Sequence, residues 1–315
     1  MLEAVPKALF IALSRSAALK KLASRYGMAT PSSFARRFIA GERVEEAIEA
    51  ARAIEARGMM QTLDYLGESV ATLPEADAAT RAYLKVMDAV VASGVGRNLS
   101  LKLTQLGLHI DRASCTDNVR RILERGAQQQ FFVRIDMEDS SVTGQTLDIF
   151  ETLWKQGYRD VGIVLQSALY RSEADLRRMI ALGARIRLVK GAYKEPTSVA
   201  YQRKADVDAA YLRLMKVLLV EGNYPAIATH DPQLIDAARQ FARERHIAPD
   251  RFEFQMLYGI RRDLQTQLTA QRYRVRVYIP FGREWFPYFM RRLGERPANV
   301  LFVLRSLSQE RSTAH

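Results

Sequence analysis

Beyond residue 57 the chain alternates between short apolar segments and longer segments that have one apolar face. The short segments are rich in Val, Ile and Leu and end at glycine or polar residues, which predicts buried β-strands. The longer segments carry apolar residues three and four positions apart, which predicts amphipathic helices. The predicted strands are residues 59–65, 98–103, 131–135, 161–165, 185–189, 226–229, 252–255 and 274–279. The predicted helices between them are residues 77–93, 116–126, 144–156, 172–182, 205–222, 232–245 and 260–271.

Eight strand–helix repeats favour a closed (β/α)8 barrel of the TIM type over an open parallel sheet. Residues 1–57 lack this alternation and predict helices throughout, with breaks at Gly27, Pro31 and Gly41. Pro31 is well placed to begin a helix that carries Phe34, Phe38 and Ile39. We therefore expect a helical arm at residues 1–57 and a barrel at residues 58–315 that ends in a short polar tail.

The last predicted strand leads into a helix with an unusual polar face. Pro280 and Gly282 end the strand, and the helix is expected to begin near Arg283 because Pro287 is tolerated only close to a first helical turn. The polar residues three or four positions apart on one face of this helix are Tyr288, Arg291, Arg292 and Glu295. Adjacent arginines suit a carboxylate or phosphate. The competing interpretation is a solvated basic face with one ion pair.

The composition is typical of a soluble globular protein, with 48% hydrophobic and 26% charged residues among 315. Cys115 is the only cysteine, which excludes an intrachain disulfide and a cysteine-rich metal site and fits a reducing compartment. No apolar run approaches the roughly 18 residues of a membrane span, and the apolar segment near the N-terminus is too short for a signal peptide. We expect a cytoplasmic protein.

The net charge of +12 fits two kinds of acidic partner, nucleic acid or an anionic membrane surface. Basic residues are interleaved with acidic ones, and no nucleic-acid motif is present, which argues against nucleic acid. Peripheral contact with the anionic surface of the inner membrane is more compatible with this pattern.

Polar residues recur where the predicted strands end, and barrel enzymes place their sites at that end. These residues are Asp64, Glu68, Lys102, Thr104, Asp136, Glu138, Gln166, Lys190, Thr229, His230, Gln255 and Tyr278. One polar residue at the end of one strand would be interpreted as a hydrogen-bonded core residue. Recurrence at strand after strand predicts a functional site at the barrel mouth.

Several chemistries compete for these residues. The sequence has no phosphate-binding P-loop, no G-x-S-x-G nucleophile motif and no histidine pair at metal-ligand spacing. Asp136 and Glu138 could be the acid and base of a glycosidase, although the mouth carries many cations and few aromatic platforms for sugars. Lys102 or Lys190 could form the Schiff base of a barrel lyase or aldolase.

The third chemistry is a site for a small anion beside a phosphate-bearing cofactor. Arg187 and Lys190 bring positive charge to one strand end. Gly191 lets backbone N–H groups approach a phosphate closely, and Thr229 and His230 add hydrogen-bonding groups.

Five motifs link this third chemistry to a family. They are Leu-Lys-Leu-Thr at 101–104, Val-Arg-Ile-Asp-Met-Glu-Asp at 133–139, Arg-Leu-Val-Lys-Gly-Ala-Tyr at 187–193, Ala-Thr-His at 228–230 and Arg-Arg-Leu-Gly-Glu at 291–295. In this order and spacing the chain resembles the FAD-dependent proline dehydrogenases, in their short monofunctional bacterial form. The likeness runs from about residue 63 to residue 307, and the N-terminal arm carries no matching motif.

The resemblance implies oxidation of L-proline to Δ1-pyrroline-5-carboxylate with reduction of FAD, the first step of proline degradation to glutamate. Electrons would pass on to a quinone, and transient contact with pyrroline-5-carboxylate dehydrogenase is compatible with this role. The barrel would be distorted, with its eighth helix across the mouth. A lyase or aldolase with a strand-end lysine, or a basic non-enzymatic binding protein, remain as alternatives at this stage.

The resemblance also implies roles for residues at matching positions. The catalytic residues would be Asp136, Arg187 and Tyr278. The substrate-binding residues would be Lys102, Arg291, Arg292, Glu295, Tyr193 and Leu257. The flavin-binding residues would be Met137, Gln166, Arg187, Lys190, Gly191, Ala192, Thr229 and His230. In this scheme Asp136 orients Lys102, Glu295 pairs with the arginines, and Glu68 is a gating partner of Arg291.

Overall fold

A closed barrel of eight parallel strands, arranged in sequence order, forms the centre of the molecule. The computed structural model describes Met28 and residues 33–295. The strands are β1 (Met60–Tyr65), β2 (Asn98–Leu101), β3 (Phe132–Ile135), β4 (Val161–Gln166), β5 (Arg185–Val189), β6 (Ala226–Ala228), β7 (Glu253–Leu257) and β8 (Arg274–Phe281). β8 closes the barrel on β1 in a register that runs from Met60–Arg276 to Tyr65–Phe281. The predicted barrel and its eight strands are confirmed, with strand ends shifted by at most two residues.

Helices follow every strand and surround the barrel. They are α2 (Leu73–Ser93), α3 (Arg112–Gln129), α4 (Ser140–Lys155), α5 (Ser172–Ala181), α6 (Lys204–Glu221), α7 (Pro232–Glu244), α8 (Arg262–Ala270) and α9 (Trp285–Glu295). A further helix, α1 (Val44–Glu55), precedes β1, and short 3-10 helices form at Phe34–Arg37 and Thr104–Leu106. None of the helices in the described part of the chain has the length and hydropathy needed to cross a membrane.

Side-chain caps fix where the helices behind the site begin. Asp139 accepts a hydrogen bond from the N–H of Ser141 at the start of α4, and Asp231 accepts one from Gln233 at the start of α7. These carboxylates satisfy donors that have no partner inside the helix and favour the positive end of its dipole. Each strand-end loop is thereby held at a defined helix start.

The strands place apolar side chains toward the helices and polar ones inside the barrel. On β3, Val133 and Ile135 belong to the main hydrophobic core, whereas Arg134 between them donates to the carbonyls of Ile163 and Arg185 on the neighbouring strands. This alternation follows from the two-residue period of a strand. The interior of this barrel is therefore polar and can carry charged groups to the mouth.

A second hydrophobic cluster lies apart from the main core and joins α9 to the segment before α1. Its buried members are Met28, Ala35, Phe38, Ile39, Leu66, Trp285, Phe286, Tyr288, Phe289 and Met290. Backbone hydrogen bonds from Ala40 to Pro280 and from Gly282 to Gly41 tie the same segment to the end of β8. Trp285 adds a side-chain bond to Glu42. We call this cluster the α9 cluster.

The predicted helix through Phe38 and Ile39 is wrong within the described residues, where a single 3-10 turn at Phe34–Arg37 replaces it. Phe38 and Ile39 are adjacent and are both buried, 1% and 0% exposed. Adjacent residues point in different directions on a helix, so continued helix would turn one of them away from the cluster. The rest of the predicted arm, residues 1–27 and 29–32, and the tail at 296–315 lie outside the described residues.

Candidate active site

A cavity of about 450 Å³ lies at the carboxyl ends of the strands and under α9. The predicted site residues that line it are Lys102, Asp136, Met137, Gln166, Arg187, Lys190, Gly191, Ala192, Tyr193, Thr229, His230, Leu257, Tyr278, Arg291 and Arg292. The structure thus brings together residues from β2 through β8 and from α9. The expected position of the last helix across the mouth is confirmed, because Tyr288, Arg291 and Arg292 face this cavity from α9.

Asp136, which follows β3, joins a group from β5 to a group from β8. Its carboxylate accepts a hydrogen bond from Arg187 Nη1 at 2.6 Å and one from the Tyr278 hydroxyl at 2.7 Å. Arg187 also donates to Ser100 Oγ at 3.1 Å, and its Cζ lies 5.3 Å from the centre of the Tyr278 ring. Burial, followed by the nearby Asp136 carboxylate, raises the pKa of Tyr278 well above its usual value. Tyr278 is therefore a neutral phenol that donates to Asp136.

Lys102 is oriented by a residue to which no role was assigned. Its Nζ donates to both oxygens of Asp64, at 3.1 and 3.3 Å, and both side chains are buried. The expectation that Asp136 orients Lys102 is therefore wrong, because Asp136 is bonded to Arg187 and Tyr278 instead. Burial opposes the charge of Lys102, but Asp64 and then Asp136 outweigh burial and raise the pKa of Lys102 well above its usual value.

The charged state of Lys102 bears on the lyase or aldolase alternative. A Schiff-base lysine must lose its proton near neutral pH, so its pKa is lowered in such enzymes. The raised pKa of Lys102 keeps a permanent cation at the mouth, which suits the binding of an anion.

α9 brings two guanidinium groups to the cavity. Arg291 forms a two-pronged ion pair with Glu68, with nitrogen–oxygen distances of 3.0 and 2.5 Å. Burial disfavours the charge of Arg291, but Glu68 compensates and raises its pKa above the usual range. The neighbouring Arg292 lies with Cζ 5.1 Å from the centre of the Tyr288 ring. The side chain of Glu295 is outside the described residues, so its pairing with the arginines stays a prediction.

The opposite wall of the cavity comes from β4, β5 and β6. Gly191 has φ of 114°, and a Cβ there would lie 3.0 Å from Gln166 Oε1 and 3.2 Å from Ala168 Cβ. The backbone conformation therefore favours glycine, and a side chain at this position would also crowd its neighbours. His230 accepts the N–H of Leu257 at Nε2, 2.9 Å away, so a neutral His230 carries its proton on Nδ1.

Lys190 is held between two carboxylates on this wall. It pairs with Asp231 at 2.9 Å and with Asp208 at 2.5 Å. Lys204 also contacts both carboxylates and lines the cavity. Asp231 is the N-cap of α7, so one side chain fixes both a helix start and a cation.

Two observations indicate that this wall is suited to a flavin. Arg187 Nε is buried and has no hydrogen-bond partner among the described residues, although it belongs to a side chain that lines the cavity. A buried donor of this kind needs a partner, which the polar edge of a ring system supplies. The close approach at Gly191 leaves backbone, rather than side chain, facing the same space.

Some residues of this site are given no role by the sequence pattern. Asp64 and Thr104 are strand-end residues, Glu138 is a strand-end residue considered as a glycosidase carboxylate, and the pattern does not mark Asp208 and Asp231. Burial raises the pKa of Glu138 to about 7, although both Glu138 oxygens accept hydrogen bonds from Thr104. The strand-end position is the one sequence feature that marks Asp64, and its pairing with Lys102 depends on tertiary structure.

A metal is not indicated by the side chains that the structure describes. Within that part of the chain, no group of three or more His, Cys, Asp or Glu side chains comes together as a metal site. The carboxylates of Asp64, Glu68, Asp136, Asp208 and Asp231 are paired with cations instead.

Comparisons with known proteins show which family the chain resembles. The family model described as "Proline dehydrogenase" matches residues 47–305. "Proline dehydrogenase 1" of Bacillus subtilis (strain 168) is 42% identical over 298 residues, covering 95% of this chain and 97% of the relative. "Proline dehydrogenase" of Deinococcus radiodurans is 44% identical over 279 residues, covering 87% of this chain and 90% of the relative.

A longer protein and a solved structure are also similar. "Bifunctional protein PutA" of Escherichia coli (strain K12) is 30% identical over 312 residues, covering 85% of this chain but 24% of the relative. The crystal structure of proline utilization A (PutA) from Bdellovibrio bacteriovorus inactivated by N-propargylglycine has a TM-score of 0.77 and 27% identity. That match covers 82% of this chain and 32% of the solved chain, so this chain spans about a third of that protein.

Proposed function

The chain belongs to the proline dehydrogenase family and is an oxidoreductase that acts on proline in proline catabolism, and from that premise we propose how its barrel mouth performs the reaction. We propose that it oxidises L-proline to Δ1-pyrroline-5-carboxylate with FAD as cofactor. The observation that carries this proposal is one cavity with three cations on one side and a glycine-lined polar wall on the other.

The three cations bind the substrate carboxylate in this proposal. Arg291 and Arg292 approach from α9 and Lys102 from the end of β2, so the carboxylate meets charge from two directions. Arginine offers paired N–H donors that match a carboxylate, and lysine adds a point charge. We define Lys102, Arg291 and Arg292 as the carboxylate clamp.

The proline ring lies against Tyr193, Leu257 and Tyr278 in this arrangement. These side chains line the cavity and offer apolar surface of a size that suits a small saturated ring. With its carboxylate bound and its ring packed, the substrate loses rotational freedom before the reaction begins, which lowers the entropic part of the barrier.

The residues of the polar wall hold the cofactor. When bound, FAD accepts the hydride that leaves the carbon beside the proline nitrogen. Met137, Gln166, Arg187, Lys190, Gly191, Ala192, Thr229 and His230 would surround it. Arg187 is fixed by Asp136 and Ser100, and it supplies positive charge where negative charge develops. Tyr278 keeps its proton on the hydroxyl oxygen and holds Asp136 in place.

Several partners follow from this function as proposals. Electrons pass from the protein to a quinone, and we place the protein in the cytoplasm with peripheral contact to the inner membrane, which the net charge of +12 supports. A relative is named as bifunctional, which supports transient contact of this chain with the next enzyme, pyrroline-5-carboxylate dehydrogenase. The division into an arm at 1–57 and a barrel at 58–315 remains our proposal for the domains.

The test is the absorbance spectrum of the purified protein before and after proline is added. We expect flavin absorbance that is bleached by L-proline in the absence of oxygen. Arg292→Met should raise the KM for proline by about a hundredfold, because it removes a charged hydrogen-bonding group, and should leave flavin bound. A protein that binds no flavin would contradict the cofactor assignment, and flavin loss in Arg292→Met would contradict the division of roles.

A further inference from the structure

The loop after β1 carries Glu68 and rests on Thr104. We call residues 66–70 the Glu68 loop. The N–H of Ser69 donates to the Thr104 hydroxyl oxygen at 3.1 Å, and the N–H of Val70 donates to the Thr104 carbonyl at 3.3 Å. The residue just before these contacts is the ion-pair partner of Arg291. Thr104 therefore contacts the backbone that aims Glu68.

Ser69 has a backbone conformation that needs such support. Its φ is 51°, in the left-handed region that residues other than glycine seldom adopt. This conformation costs about 1–2 kcal/mol, and it persists where surrounding contacts hold it. The N–H of Ser69 donates to the Thr104 hydroxyl oxygen, and this bond helps to hold the loop in this shape.

Glu138 fixes the Thr104 hydroxyl from the other side. Glu138 Oε1 accepts the N–H of Thr104 at 3.0 Å, and Oε2 accepts its hydroxyl hydrogen. A hydroxyl has one hydrogen, so donation to Glu138 leaves its lone pairs for the N–H of Ser69. Thr104 and Glu138 are 2% and 5% exposed, so water does not compete for these bonds.

The same glutamate is also bonded to the polar wall from β4 to β6 that we assign to the flavin, which we call the flavin wall. Its carbonyl oxygen accepts a hydrogen bond from Gln166 Nε2 at 2.7 Å. A continuous path therefore runs from Gln166 through Glu138 and Thr104 to Ser69 and Glu68. Thr104 and Glu138 do not line the cavity, so their influence on substrate passes through other side chains.

We propose that Thr104 is a positioning residue for Arg291: held by Glu138, its hydroxyl fixes the Glu68 loop so that the Glu68 carboxylate meets both terminal nitrogens of Arg291. The proposal rests on the assignment of Arg291 to the carboxylate clamp. It assigns Thr104 to substrate binding, without direct contact, and not to flavin binding. Without the hydroxyl, the Glu68 loop relaxes and Arg291 loses its fixed orientation.

The test compares Thr104→Val, which keeps the shape and removes the hydroxyl, with Thr104→Ser, which keeps the hydroxyl. Thr104→Val should raise the KM for proline about tenfold, the effect of about one lost hydrogen bond, and Thr104→Ser should stay within about twofold of the parent. Flavin content should be unchanged in both. Thr143→Val is the matched control, because Thr143 is equally buried and its hydroxyl donates to the carbonyl of Asp139, the N-cap of α4.

Amide hydrogen exchange gives a readout that does not depend on turnover. Exchange at residues 66–70 should increase at least tenfold in Thr104→Val and return to the parent value in Thr104→Ser. Thr104→Ala is measured in parallel, so a folding defect specific to valine does not decide the result. Unchanged exchange in a folded, flavin-containing variant without the hydroxyl would overturn the proposal.

Double variants separate the role of Thr104 from that of Arg291. In a protein that already carries Glu68→Ala, Thr104→Val should raise the KM by less than a further twofold. The reason is that Thr104 acts on Arg291 through the Glu68 carboxylate, which is absent from that protein. A full tenfold addition there would overturn the proposal. An unchanged KM in Arg291→Met would overturn the clamp assignment together with this proposal. A KM raised by Arg291→Met but not by Thr104→Val would overturn the role of Thr104 alone.

Discussion

Four cations at the mouth are each held by a carboxylate, and this pairing decides which of their hydrogens face the cavity. The pairs are Lys102–Asp64, Arg187–Asp136, Arg291–Glu68 and Lys190–Asp231. Fixing the cations beforehand means that little reorganisation is left when an anion binds. The net charge of the mouth is thereby lower than its count of arginines and lysines suggests, while its geometry is defined.

Asp64→Asn tests this pairing at Lys102. Removing one partner of a buried ion pair leaves the other charge uncompensated and typically costs about 3–5 kcal/mol. We expect a loss of this order in the free energy of unfolding, measured by chemical denaturation, and a higher KM for proline. Asp77→Asn is the control, because its pair with Arg121 is partly exposed and should be worth at most about 1 kcal/mol. Equal losses in the two variants would contradict the importance of the Lys102–Asp64 pair.

Glu138 makes a residue-level prediction about pH. Burial raises its pKa from 4.5 to about 7 in the folded protein. A raised pKa means that the folded state holds the proton more tightly, so this contribution to stability is complete below pH 4.5 and is lost as the pH rises through 7. Glu138→Gln cannot titrate. Its stability relative to the parent should therefore rise by up to about 3 kcal/mol between pH 5 and pH 8, measured by denaturation at several pH values. A constant difference between the two proteins would refute the raised pKa.

At the scale of elements, α9 depends on a segment that lies far from it in sequence. The α9 cluster packs Phe38 against Phe289, with ring centres 6.2 Å apart, and Trp285 against Phe289 at 5.8 Å. α9 thus lies across the mouth on a small hydrophobic base of its own, and residues 35–39 supply one side of that base. The positions of Arg291 and Arg292 therefore depend on the packing of the α9 cluster.

Phe38→Ala should loosen the packing of the α9 cluster more than that of the barrel. Truncating a buried Phe typically costs about 3–5 kcal/mol, and Phe38 is 1% exposed. We expect the KM for proline to rise while the affinity for flavin changes little, because the flavin wall lies on β4 to β6. Titration of apoprotein with flavin and steady-state kinetics measure the two effects. A parallel loss of flavin affinity would show that α9 and the flavin wall are not separable.

The local pattern of apolar and polar residues predicts the strands and helices well, but it does not predict which side chains pair with one another. The strands are short apolar runs that end close to glycine or polar residues, so their bounds follow to within two residues from local rules. The partner of Lys102 does not follow from such rules, because Asp64 is 38 residues away and meets it through the pairing of β1 with β2. Asp136 carries the same charge and was the plausible choice in sequence, but the polar interior of the barrel brings Arg187 to it from β5. The helix expected through Phe38 and Ile39 does not continue beyond Arg37, because the burial of these two residues comes from contact with α9.

At the scale of the whole molecule, charge is the property most relevant to partners. The net charge of +12 predicts binding to anionic vesicles that weakens as salt is raised from 0.05 to 0.5 M, because salt screens the attraction. Sedimentation with anionic vesicles measures this binding, and neutral phosphatidylcholine vesicles are the control. Equal sedimentation with both vesicle types would contradict an electrostatic contact with the membrane.

Closure of the barrel has a further consequence, for the order in which the protein is made. Met60 and Arg276 are in contact across 216 residues of sequence, as β1 pairs with β8. Contacts of such long range form slowly, because the whole intervening chain must first be brought together. A ribosome-bound chain that ends before β8 therefore lacks Tyr278 and α9, even though β4 to β6 are complete. All the residues assigned to the flavin are therefore synthesised before Tyr278, Arg291 and Arg292, so a growing chain carries the complete flavin wall before it carries the last residues assigned to proline.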